Sequence, residues 1–136
     1  MENKNVSYIN PDNMMKPQGF TQVISVKGLN KTIYIGGQDS VDKDGNIIGK
    51  DNIKEQAQQI LSNIEKALKS AGAKLENIIK WNVYVKQGQS PMPAFEVFQD
   101  RWGDKPNPPA ITLLYVAGLA HPDYLMEMDA IAIIPE

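Results

Sequence analysis

Two carboxylates, Glu127 and Asp129, sit two residues apart in the otherwise apolar run Leu125-Met126-Glu127-Met128-Asp129-Ala130-Ile131. In an extended strand such residues share a face. A polar group buried there without a partner costs on the order of 2–7 kcal/mol, so the face that carries them opens on a cavity or meets a second subunit. Glu127 has two readings. It can position or polarise water once burial lifts its pKa toward neutrality, or it is a structural acceptor for backbone amides at a subunit contact. Asp129 reads as structural, paired with a lysine across that contact. Upstream, Pro109-Ala110-Ile111-Thr112-Leu113-Leu114 opens a second strand-like run. Phe20, Trp81 and Tyr115, with Ile111, would line an aromatic pocket for an uncharged ligand, although each taken singly also reads as plain packing. Gly36-Gly37 is a place where backbone can approach another group closely. Gln38 beside it is a candidate polar contact, and the alternative is a turn that merely needs glycine.

Other chemistries lack their residues. There is no cysteine, so disulfides, thiolate metal sites and a cysteine nucleophile are all missing. His121 is the sole histidine, too little for a zinc site, and reads as a loop residue. No phosphate-binding loop, nucleophile elbow or dinucleotide fingerprint is present, so neither metal nor cofactor is expected. The net charge is −2 and the lysines are scattered, which leaves no footprint for nucleic acid. The N-terminus is polar and no run approaches the ~18 apolar residues of a membrane span, so a cytoplasmic protein with no membrane partner is expected.

The elements that must position these residues follow from spacing. At 136 residues one domain is expected, with residues 1–19 as an irregular lead-in. Thr21–Val26 reads as a strand, and Thr32–Gly36 as its hairpin partner across the Gly28-Leu29-Asn30-Lys31 turn. Asp42-Lys43-Asp44-Gly45-Asn46 is a further turn. Asn52 with Glu55 three residues on resembles a capping box. Ile53, Ala57, Ile60, Leu61, Ile64 and Leu68 then recur at helical spacing until Gly72, where a cap glycine belongs. Ile78–Lys86 alternates, with Ile79, Trp81, Val83 and Val85 on one side. A shorter helix spans Pro93–Trp102, with Phe95, Phe98 and Trp102 on one stripe, and Asp104–Pro109 breaks it. Strands at Ala110–Val116 and Leu125–Ile134 close the chain. Two one-faced helices and these strands predict an α+β domain, both helices on one face of a mixed β-sheet. Both sides of the last strand are largely apolar, so a second subunit is expected to cover the far one.

From about Gly19 to Ile134 the chain resembles the Rid family, also called the YjgF or L-PSP family. Pro109-Ala110-Ile111-Thr112 followed by Met126-Glu127-Met128 is similar to its Pro-Ala-Arg-Ser signature with the later Glu. Gly36-Gly37-Gln38 resembles its Ser-Gly-Gln, and Ile78-Ile79-Lys80-Trp81-Asn82-Val83-Tyr84 its Val-Val-Lys-Thr-Thr-Val-Phe strand. The resemblance implies a chorismate-mutase-like fold assembled as a homotrimer, with clefts between subunits. It also implies a small-molecule site built from Glu127 as catalytic residue and Phe20, Gly37, Gln38, Trp81, Ile111, Thr112 and Tyr115 as substrate contacts.

The family's best-known members hydrolyse enamines and imines such as 2-aminoacrylate, and an arginine in the Pro-Ala-Arg motif grips the substrate carboxylate. Paired donors on a planar guanidinium suit that task. Here Ile111 stands at that position, Phe20 replaces a tyrosine, and Arg101, the only arginine, lies elsewhere. The expectation is therefore a trimer that binds a small, weakly charged metabolite and hydrolyses an imine-type bond with Glu127, not the arginine-dependent deaminase. The competing expectations are a non-catalytic ligand-binding or protein-interaction trimer and a ribonuclease, the last disfavoured by the acidic balance.

Overall fold

The first long helix, α1 (Ile53–Ser70), starts and stops on its cap residues. Asn52 Oδ1 accepts the amide of Glu55 at 3.1 Å, satisfying one of the donors a helix start leaves free. At the other end Ala71 caps the helix and Gly72 follows with φ +81°, a conformation that glycine adopts without strain. Between them Ala57, Ile60, Leu61, Ile64 and Leu68 are fully buried along one stripe. Each large aliphatic side chain so buried is worth roughly 1.5–3 kcal/mol.

The computed structural model describes residues 3–136. Its strands are β1 (Val6–Ile9), β2 (Val23–Val26), β3 (Asn30–Gln38), β4 (Ile78–Lys86), β5 (Ala110–Val116) and β6 (Met126–Pro135), and the second helix, α2, is Met92–Trp102. A four-stranded mixed sheet runs in the order β3-β6-β4-β5. β6 is antiparallel to both β3 and β4, whereas β4 and β5 are parallel. Parallel neighbours need a crossover between them, and α2 supplies it. Met126, Met128 and Ala130 of β6, with Trp81, Val83 and Val85 of β4, face the helices and join their buried cluster. Gln56, fully buried in α1, fixes the approach to β6: its Nε2 donates to the Asp123 carbonyl and its Oε1 accepts the Leu125 amide, both at 2.9 Å.

Three expectations are corrected. The lead-in is not irregular throughout, because Val6–Ile9 forms β1. β2 pairs with β1 in a separate two-stranded antiparallel sheet, while β3 pairs with β6, so the expected hairpin between β2 and β3 does not form. In β4 a register shift between Ile78 and Lys80 puts Ile78, not Ile79, on the buried side with Trp81; a bulge inserts one residue and so inverts the alternation before it.

Candidate functional site

The apolar half of the site lies under α2. Thr21 fastens the incoming chain to the start of β5: its amide donates to the Pro109 carbonyl at 3.1 Å and its hydroxyl to the Pro108 carbonyl. That fixes Phe20 beside the cavity that α2 roofs over β4 and β5. The cavity encloses about 340 Å³, and Phe20, Trp81, Phe95, Phe98, Ile111 and Leu113 contribute to its wall. Ile111 is there because it stands opposite Trp81 in the parallel ladder. Among the described residues no charged side chain lines the cavity; Gln18 and Gln99, both exposed, are its polar side chains.

Trp81 is fully buried, with its ring edge-on to Phe98 at 4.8 Å. Its Nε1–H has no acceptor among the described residues, an omission worth about 1–3 kcal/mol for a buried donor. The other tryptophan obeys the usual rule, with Trp102 Nε1 donating to the Lys105 carbonyl at 2.7 Å.

The polar half lies on the helix-free face of the same sheet. Glu127 alternates with the buried Met126 and Met128, is itself half-buried, and stands opposite Tyr84. Its carboxylate fills the space beside Gly37, where any Cβ would collide with it. Gly37 lies in the register irregularity of β3 between Ile35 and Gln38. Immediately after it stands Asp39, whose pKa is pushed up to about 7, chiefly by burial and then by its hydrogen-bonding interaction with, and the charge of, the nearby Glu127 carboxyl. Asp39 Oδ1 is buried, and no N–H or hydroxyl donor among the described residues reaches it. An Asp39 carboxyl that keeps its proton to unusually high pH accounts for both observations, since two adjacent carboxylates resist ionising together.

Asp129 has two donors within the chain. Asn82 Nδ2 donates to it at 2.7 Å and the Tyr84 hydroxyl at 3.0 Å. The hydrogen bond to Asp129 is also the main cause holding the Tyr84 phenol above its ordinary pKa.

The residues singled out from sequence thus fall into two groups. Phe20, Trp81 and Ile111 meet in the cavity wall, while Glu127, Gly37 and Gln38 meet at the irregular end of β3. Gln38 Nε2 donates to the Gly36 carbonyl at 3.1 Å. Two residues join neither group. Thr112 accepts from Lys80 Nζ at 2.7 Å on the far face of β5, and Tyr115 is 57% exposed and absent from the cavity wall. Arg101 is engaged with Glu65 and Ser62 of α1, and His121 is exposed, its Nδ1 accepting the Asp123 amide at 3.0 Å. Asp39 is the residue that sequence reasoning missed. The available signal was Gly36-Gly37, which marks a close approach, and the approaching group is the Glu127 carboxylate.

An α+β domain with two helices on one face of a mixed sheet, an apolar cavity under the second and a carboxyl pair on the open face is the class that these observations define. The family model for Endoribonuclease L-PSP matches residues 13–134, and the chain belongs to that family, to which the Rid and YjgF names also apply. It is similar to a RutC family protein of Pyrococcus abyssi, 35% identical over 118 residues, 86% of this chain and 88% of that one. A human protein named 2-iminobutanoate/2-iminopropanoate deaminase is 30% identical over 105 residues, 77% of this chain and 74% of that one. Among solved structures, a Yersinia pestis protein of the conserved Rid family, described as of unknown function, superposes with a TM-score of 0.83 at 27% identity, covering 96% of this chain and 99% of that one.

Proposed function

We propose that the protein is a homotrimer whose inter-subunit cleft binds a small, weakly charged molecule and hydrolyses its C=N bond, with Glu127 positioning the water. The observation that carries this reading is the Asp39–Glu127 carboxyl pair beside Gly37. Hydrolysis of an imine begins when water adds across C=N: oxygen bonds to carbon and the nitrogen gains a proton. The carbinolamine then expels ammonia or an amine and leaves a carbonyl. Two adjacent carboxyls resist ionising together, so the pair offers one group to take a proton from water and one to supply nitrogen. The name of the human relative supports the reaction class.

Ile111 sits in an apolar wall and Arg101 is bound to α1, so no guanidinium stands ready to clamp a carboxylate. The arginine-dependent deamination of 2-aminoacrylate is not what this site favours. The open sheet face supports assembly, since Leu114 is 49% and Tyr34 78% exposed there beside Ile131, an apolar surface of the kind that marks an interface. The uncharged cavity favours one second reading, a trimer that holds its ligand without chemistry.

One experiment separates the two. Wild type is offered neutral cyclic and aliphatic imines and 2-aminoacrylate, alongside Glu127→Gln and Ile111→Arg. The expected result is turnover of neutral imines, lowered by about 10²–10⁴ in Glu127→Gln, and turnover of 2-aminoacrylate gained by Ile111→Arg. A wild-type trimer that turns over nothing on the panel is a binding protein. A monomer by light scattering at micromolar concentration removes the cleft altogether.

A further inference from the structure

We propose that Gln59 and Asn63, two carboxamides on α1, are positioning residues for the carboxyl pair: they pin the backbone of residues 39–41 from the helix and so keep the Asp39 carboxyl beside Glu127. The inference deepens the reading above and rests on it only for its consequence in turnover.

The need for a pin comes from the sheet. β3 pairs with β6 as far as Gln38, opposite Met128, after the register irregularity, so Asp39 lies past the last rung of that ladder. Two neighbouring carboxylates also repel each other, and an unrestrained segment would carry them apart. Helix α1 supplies the restraint. Gln59 and Asn63 are four residues apart and therefore share a helix face. Asn63 Nδ2 donates to the Val41 carbonyl at 2.9 Å and to the Asp39 carbonyl at 3.2 Å. Gln59 Nε2 donates to Asn63 Oδ1 at 2.9 Å, which turns the donor end of that amide toward the two carbonyls, and reaches the Val41 carbonyl at 3.3 Å. Between them Ser40 is fully buried; its hydroxyl donates to the Ile48 carbonyl at 2.5 Å and its carbonyl accepts the Ile48 amide at 2.9 Å. The same helix fixes the strand of the other carboxyl, because Gln56 Oε1 accepts the amide of Leu125, two residues ahead of Glu127.

Where these donors go separates positioning from plain satisfaction. Asn63 reaches residue 39 yet bonds its carbonyl, and the buried Asp39 Oδ1 receives no donor among the described residues. Asp129 is served differently, with Asn82 and Tyr84 donating straight to its carboxylate. Asp39 is thus held by its main chain, which leaves its carboxyl available to exchange a proton. Glu127 is the charged group that acts on it; the two side chains that reach it from α1 are neutral amides.

The test follows the Asp39 carboxyl carbon by NMR across a pH titration of the full-length protein labelled with carbon-13 aspartate, with Asp39→Asn assigning the signal. Wild type is expected to titrate at about pH 7. Asn63→Leu keeps a branched shape and loses the amide, and its Asp39 midpoint should fall by about one pH unit or more as the carboxyl moves into water and away from Glu127. Gln59→Leu removes the bond that orients Asn63 but leaves Asn63 itself, so a smaller fall is expected; it also carries the test should Asn63→Leu fail to fold. Ile60→Val loosens the packing of the same helix without touching either amide, and its Asp39 midpoint should stay at the wild-type value. In imine turnover Asn63→Leu is expected to lose about 10- to 100-fold in kcat with KM little changed. A wild-type midpoint in the ordinary carboxylate range, a midpoint unmoved in the folded amide variants, or one that moves as far in Ile60→Val overturns the proposal. Wild type that turns over no imine sinks the hydrolytic reading, whereas the positioning stands or falls on the Asp39 midpoint alone.

Discussion

The two faces of the β3-β6-β4-β5 sheet solve different problems with alternate residues of the same strands. Toward the helices, Met126, Met128, Trp81 and Val83 are buried, held by area and shape. Toward the open side, Glu127, Asp129, Asn82 and Tyr84 are half-buried, and Asn82 and Tyr84 hold Asp129 by directed hydrogen bonds. Burial of apolar area is non-directional and tolerates changes in chemistry, whereas a partly buried polar cluster fails as soon as one partner goes. The apolar face is therefore suited to holding a ligand of loosely defined identity, and the polar face to placing a proton.

Trp81→Ala tests the division most severely. It removes the largest fully buried side chain from the helix face, and a loss of about 3–5 kcal/mol in unfolding free energy is expected by denaturant titration. The open face should survive in whatever folded protein remains, with Tyr84 still titrating above an ordinary phenol. A Tyr84 that titrates like a free tyrosine in folded Trp81→Ala would show that the two faces are one cooperative unit.

This split also explains what could be read in the residues. Helix α1 was legible because its stripe, Asn52 and Gly72 all state one local answer. The last three strands were legible from alternation and from the Pro109 break. Alternation does not name a partner, however. Gly28 makes a turn with φ +76° that reads as a hairpin, yet β2 joins β1 and β3 joins β6. β1 itself is four residues in a polar stretch, too short for a period to emerge. The cavity residues Phe20, Trp81 and Ile111 were found because aromatic and aliphatic side chains announce burial. Asp39 was not, because an aspartate just past a strand looks like any loop residue until β3 is laid against β6. Phe98 was read only as one member of a helix stripe, although it packs on Trp81 from across the cavity.

Gly37→Ala sharpens the comparison from the other side. The added Cβ meets the end of the Glu127 side chain, a flexible group, rather than backbone. The fold should therefore hold, with stability within about 1 kcal/mol of wild type, while the carboxyl swings away from Asp39. Misplacing a reacting group by about 1 Å can cost 10²-fold, and a loss of that order in imine turnover is expected. If turnover persists in a folded Gly37→Ala, Glu127 does not act from this position.

The smallest effect is the most specific to the carboxyl pair. Asp39 has its pKa raised from 3.8 to about 7 in the folded chain, so folding favours its protonated form. Below about pH 4 the carboxyl is protonated whether the chain is folded or unfolded, and its contribution is fully present. As pH rises toward 7 the unfolded chain releases the proton and the folded chain keeps it, so that contribution is lost across this window. Asp39→Asn cannot ionise, and its stability relative to wild type should therefore climb between pH 4 and 7 and level off above. Because Asp39 is only partly buried, solvent screening limits the gain to about 1–2 kcal/mol, measurable by denaturant titration at each pH. A difference that stays flat across the window would mean that Asp39 ionises in the folded chain as an ordinary carboxylate does, and the proton would then have to be sought among other groups on the open face. A difference that climbs in wild-type background but vanishes when Glu127 is also changed to Gln would assign the coupling to these two carboxyls and no others.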